Sequence, residues 1–244
     1  MSLTITARVA PVALARITGG LYLAFMVASV LANALGNIGL GDARQMYGSI
    51  TTSPGAFRLG LCFAFVSTFF FLLAAWGLYV LLRTVNSELA LLFLVLNAVG
   101  VAIQCASMLP LVAALFLGDP AGGLPALQPA QVEALAQVAL NVYRTGFVTA
   151  QLFFGTWLFP LAYLVLTSGF LPRILGVLLV LDGIGELVWF LQELLLPAYP
   201  ALTTPGTFVS LLAEVGLALW LLVRGVKVAD GVRVAGGVEQ AVAR

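Results

Sequence analysis

Apolar residues run through this chain in blocks of about twenty, separated by short polar or Gly-rich connections, the period of membrane-spanning helices. Windows of that length predict six spans, over residues 13–35, 57–82, 89–112, 145–167, 173–196 and 206–223. Gly36 to Ala56 reads as a mostly polar connection, and Gly118–Gln128 as a loop rich in Gly and Pro. In Pro129–Tyr143, Val132, Leu135, Val138 and Val142 recur near helical spacing, so this stretch is an interfacial helix or an extension of the fourth span. Short turns at Arg83–Ser87 and Ser168–Pro172 make spans two and three, and four and five, antiparallel neighbours. The expected organisation is a single membrane domain over residues 1–224 and a mobile tail over 225–244.

Composition agrees with the pattern. Hydrophobic residues make up 62% of the 244 positions and charged residues 9%, where a soluble domain carries about a quarter charged. The bilayer core admits only helices or closed barrels, and the long unbroken runs lack a barrel's short alternating segments. The fold class is therefore an all-α integral membrane protein, a six-helix bundle. A net charge of +1 offers no basic surface for nucleic acid. Histidine is absent, which removes the usual haem ligand, the commonest zinc ligand and the commonest general base. No metal site and no cofactor are expected. Cys62 and Cys105 fall within apolar helices without C-x-x-C spacing, where a free thiol acts as a small hydrophobe.

The basic residues set an orientation. With both termini cytoplasmic, the inside holds Arg8, Arg16, Arg83, Arg173, Arg224, Lys227, Arg233 and Arg244, and the outside holds Arg44, Arg58 and Arg144. Eight against three follows the positive-inside rule. A competing pattern is a signal peptide, with a basic start, the apolar stretch Ile17–Leu31 and a small-residue Ala32-Asn33-Ala34. That apolar stretch is long for a signal peptide, and the charge count fits the uncleaved form.

Several stretches resemble one bacterial and archaeal family, domain of unknown function 4386. They are Arg16-Ile-Thr-Gly-Gly-Leu-Tyr-Leu, Phe57-Arg-Leu-Gly, Leu81-Leu-Arg-Thr-Val-Asn-Ser-Glu-Leu-Ala-Leu and Thr167-Ser-Gly-Phe-Leu-Pro-Arg-Ile-Leu-Gly-Val-Leu. The resemblance implies six spans, an uncleaved first helix and a prokaryotic cytoplasmic membrane. It implies no activity. In the last of these stretches Gly169 can end one helix and Pro172 begin the next.

The chemistry of interest lies in the spans. Asp182, Glu186 and Glu193 in the fifth and Glu214 in the sixth are four of only ten acidic residues. An acid at the centre of a spanning helix costs roughly 2.5–3.5 kcal/mol, so four cost on the order of 10 kcal/mol. Helical spacing gathers polar positions into stripes: Asp182, Glu186, Trp189 and Glu193; Asn97, Gly100 and Gln104; Asn141, Arg144, Gln151 and Gly155; Thr207, Ser210 and Glu214.

At a rise of about 1.5 Å per residue, Glu186 lies roughly 20 Å from the cytoplasmic end of its helix and Gln104 about 22 Å. Glu214 and Gln151 lie about 12 Å and about 9 Å below the outer face. Asp182 falls nearer the midplane, Arg144 and Glu193 nearer the outer surface. These heights predict a polar pocket opening outward or sideways. Arg144, with Arg58 a second candidate, cannot neutralise four carboxylates, so at least one acid carries its proton or is solvated in a water-filled cavity.

Four functions remain open. The first is binding of a small amphipathic or lipid-like ligand, with Asn97, Gln104, Arg144, Gln151, Trp189 and Glu193 as contacts. The second is acid catalysis on a lipid or isoprenoid, with Asp182, Glu186 and Glu214 as acid and base. The third is proton-coupled transport through Asp182 and Glu186. The last is a scaffold that forms homo-oligomers. No Walker sequence is present, so the chain is not itself an ATPase of that class. In every case the bilayer is the first partner.

Overall fold

The computed structural model describes residues 11–118 and 127–226. The expected tail therefore lies outside the described residues from position 227 onward, as does 119–126 within the Gly/Pro-rich loop. Eight α-helices are described: α1 Pro11–Gly36, α2 Ala43–Thr52, α3 Pro54–Leu82, α4 Ser87–Ser107, α5 Leu109–Gly118, α6 Pro129–Ser168, α7 Arg173–Leu195 and α8 Thr204–Val223. A 3₁₀ turn, Pro200–Thr203, leads into α8, and among the described residues there is no strand. Six of these segments are long and apolar enough to cross a membrane, with α4 and α5 together forming one of them, Ser87–Gly118.

The third apolar run continues past residue 112, with a break at Met108. Pro110 explains it: proline has no N–H to give Ala106 and disfavours helical backbone just before it. The Met108 N–H instead bonds the Cys105 carbonyl at 3.2 Å, a tighter turn. Between the third and fourth spans, Pro129–Tyr143 is an extension of α6, which runs unbroken for 40 residues. The connection after α1 contains a helix that its polarity concealed. Asp42 caps α2 by accepting from the Gln45 N–H at 2.7 Å, and the Gln45 side chain accepts from the Asp42 N–H at 2.9 Å.

The six spanning segments close into a ring in the order α1, α3, α4, α6, α7, α8, with α8 returning to α1. Both short turns give adjacent pairs, α3 with α4 and α6 with α7. Gly169, at φ 72°, ends α6 in the left-handed conformation that glycine tolerates, and Pro172 caps α7. Val27, Phe69, Leu92, Ile174 and Phe208 point outward from five of these helices. An exterior this apolar suits hydrocarbon and not water. The chain is a multi-pass helical membrane protein.

Two buried clusters hold the ring. The larger centres on Tyr22, Phe71, Leu78, Phe93, Trp157 and Leu161. The smaller packs Met46 and Ile50 of α2 against Phe57, Leu111, Leu140 and Tyr143. The candidate site lies where these two clusters meet.

Candidate functional site

Close helix crossings bring the acids together. A Cβ added to Gly185 of α7 would lie 2.8 Å from the Cα of Gly206 in α8, so the two backbones touch there. On the other flank, a Cβ on Gly155 of α6 would sit 3.1 Å from the Gly183 carbonyl and 3.1 Å from the Glu186 Cβ. Small residues at crossings of this kind let helices approach without intervening side chains. Asp182 and Glu186 of α7 consequently lie between α6 and α8, turned into the bundle.

Three carboxyls share this region. Asp182 is 1% exposed, and neither of its oxygens has a hydrogen-bond partner. Glu186 is half-buried, with Oε2 also unpartnered. The Ser210 hydroxyl lies near both carboxyls, outside bonding geometry for Asp182. Glu214 lies near Asp182 and Glu186, and it accepts a hydrogen bond from the Tyr22 hydroxyl at 3.1 Å. Tyr22 itself is fully buried, with Phe25 and Phe71 edge-on to its ring at 5.8 Å each.

Above the acids lies a cavity of about 390 Å³. Glu186, Glu214 and Ser210 line it beside Gln104, Gln151 and Trp189, and its aromatic wall includes Phe71, Phe147, Phe154 and Trp157. It occupies the half of the bundle at the C-terminal ends of α1, α4 and α7, beneath the loop Ile38–Leu40. Val30 of α1 and Leu211 of α8 also line it, yet they are 67% and 60% exposed. The cavity therefore opens between α1 and α8 onto the apolar flank of the ring.

A family model described as domain of unknown function (DUF4386) matches residues 17–225. The chain belongs to that family. No curated protein and no solved structure matches it. The matched stretch of this DUF4386 protein contains the cavity lining and Tyr22, which bonds Glu214.

Not every expected site residue reaches the cavity. Arg144 grips Glu193 along one edge of its guanidinium, Nε donating at 2.7 Å and Nη2 at 3.1 Å, and neither residue lines the cavity. Their pairing follows from their common height near the end of the bundle, and it removes the expected cation from the pocket. Asn97 is fully buried with its amide unpartnered, two turns below Gln104 and outside the cavity lining. Asn141 is exposed and bonds its own helix at the Gln137 carbonyl. Asp182 belongs to the acidic cluster without lining the cavity. Cys62 and Cys105 are both free thiols.

Sequence reasoning missed Tyr22 and the aromatic wall. Tyr22 sits inside the first stretch that carried the family resemblance, so the signal was present. An aromatic residue in an apolar helix ordinarily reads as core or interface anchor, and one helix's periodicity carries no information on the helix opposite. Among the described residues no group of three or more His, Cys, Asp or Glu side chains converges in a way that could hold a metal ion.

Proposed function

We propose that the protein binds a small amphipathic or lipid-like molecule in this cavity, within the cytoplasmic membrane of a prokaryotic cell. One observation carries the reading: an aromatic-walled cavity of about 390 Å³ has carboxyls at its base and an opening on the bundle's apolar flank. That volume falls within the roughly 300–1,000 Å³ usual for ligand sites, and mostly apolar walls with few polar groups are their ordinary chemistry. The ligand enters sideways from the bilayer between α1 and α8. Its apolar body lies against Phe71, Phe154 and Trp189. Its polar end meets Glu186, Glu214, Gln104 and Gln151.

The test is mass spectrometry of what the purified protein carries from its own membrane, wild type beside Glu186→Gln. A specific amphiphile, enriched in the wild type and depleted at least several-fold in the variant, is expected. Bulk phospholipid alone, in equal amounts in both, would count against ligand binding at this cavity. Turnover of the captured molecule by the wild type would convert the binding site into an active site.

A further inference from the structure

We infer that the ligand is a lipophilic cation, an amine or quaternary ammonium carried on an apolar body. This rests on the cavity being a ligand site, as proposed above, and adds the charge of what enters. Charge and hydrogen-bond accounting lead to it. Asp182, Glu186 and Glu214 form one cluster, yet no lysine or arginine lines the cavity among the described residues. The one basic residue of the facing helix, Arg144, is held by Glu193 through two hydrogen bonds. Among the described residues, the hydroxyls set beside these three carboxyls are those of Tyr22 and Ser210, and neither carries a charge.

The shortage shows in the geometry. Oε2 of Glu186, on the cavity lining, lacks any partner, and so do both oxygens of Asp182 one turn behind it on α7. Buried carboxyls in that condition cost free energy until a donor or a positive charge arrives. An alcohol could donate a hydrogen bond but bring no charge. An anion would find no basic side chain among the described lining residues. A cationic head supplies charge, and a protonated amine supplies N–H donors as well. The walls fit the same guest, since Phe71, Trp157 and Trp189 present ring faces or edges to the cavity, and ring faces attract cations more strongly where water is excluded.

The test uses the full chain in phosphatidylcholine nanodiscs, with empty discs as blank and emission from the cavity tryptophans as readout. Decyltrimethylammonium, decanol and decyl sulfate share one chain and differ in charge. The cation is expected to bind at least about tenfold tighter than the alcohol, as one desolvated cation contact would give. Glu186→Gln and Glu214→Gln should each shrink that preference to within about threefold, with folding checked by circular dichroism and a monodisperse elution. Equal affinity of wild type for the cation and the alcohol would overturn the cation and leave the cavity as a ligand site. Preference for decyl sulfate would overturn it equally. Binding of none of the three would bring down the ligand reading itself. Should either variant fail to fold, the wild-type ranking alone decides.

Discussion

At the scale of single residues, two polar contacts that join helices differ in kind. Tyr22 donates to Glu214 from a fully buried position. Its removal leaves a buried acceptor without a donor, which costs about 1–3 kcal/mol. Tyr22→Phe should therefore lower the midpoint of thermal unfolding in detergent, and an unchanged midpoint would show that water replaces the hydroxyl. The Arg144–Glu193 pair has stronger geometry but less consequence, because its side chains remain 37% and 26% exposed. Partly solvated ion pairs contribute about 0–1 kcal/mol. Arg144→Gln is expected to shift the same midpoint by less than Tyr22→Phe does. The opposite ranking would mean that the ion pair is buried more deeply in the bilayer than its exposure in the bundle implies.

At the scale of helices, glycines set the spacing, and two of them make predictions of opposite sign. Gly206 touches Gly185 backbone to backbone, so a side chain there must push α8 from α7. Gly206→Val should destabilise the protein by about 1–3 kcal/mol, visible as earlier unfolding and a broadened elution profile. Gly48 lies inside α2 with nothing within 4 Å of an added Cβ. Gly48→Ala should stabilise by roughly 0.5–1 kcal/mol, because alanine gives up less chain entropy in a helix. A loss of stability there would indicate that the α2 surface meets something beyond this chain.

The same elements show how far the sequence could be read. Six apolar runs marked six spanning segments because hydrophobic length is a strong, local signal. Helix α2 escaped notice since ten mostly polar residues carry no such length, although Asp42 and Gln45 stand at capping-box spacing. Asp182 and Glu186 turn into the bundle, and Gln104, Gln151 and Trp189 line the cavity. What spacing could not supply was register between helices. That register decides that Tyr22 meets Glu214, that Arg144 meets Glu193, and that Asn97 lies outside the lining.

For the whole molecule, the ring closes where its two ends meet. Gly225 packs against Val12, and α1 approaches α8 so closely at Gly19 that an added Cβ would lie 2.6 Å from the Ala218 carbonyl. Both ends of the described chain therefore leave the bundle on one face, and the turn joining α3 to α4 lies on that face as well. The opposite face carries the α2–α3 connection. We propose that the first face is cytoplasmic, as the eight-to-three distribution of basic residues favours. Cysteine labelling in intact cells tests this in a Cys62→Ser, Cys105→Ser background. Ser53→Cys, in the exposed connection between α2 and α3, should react with a membrane-impermeant maleimide added outside. Thr84→Cys, exposed in the turn after α3, should react only after permeabilisation. The reverse pattern would invert the protein and turn the cavity half of the bundle toward the cytoplasm. Its loop Ile38–Leu40 would then face the cell interior, although lateral entry between α1 and α8 would stay open in either orientation. Labelling of both positions from outside would contradict the six-span ring itself, since α3 could not then cross the membrane.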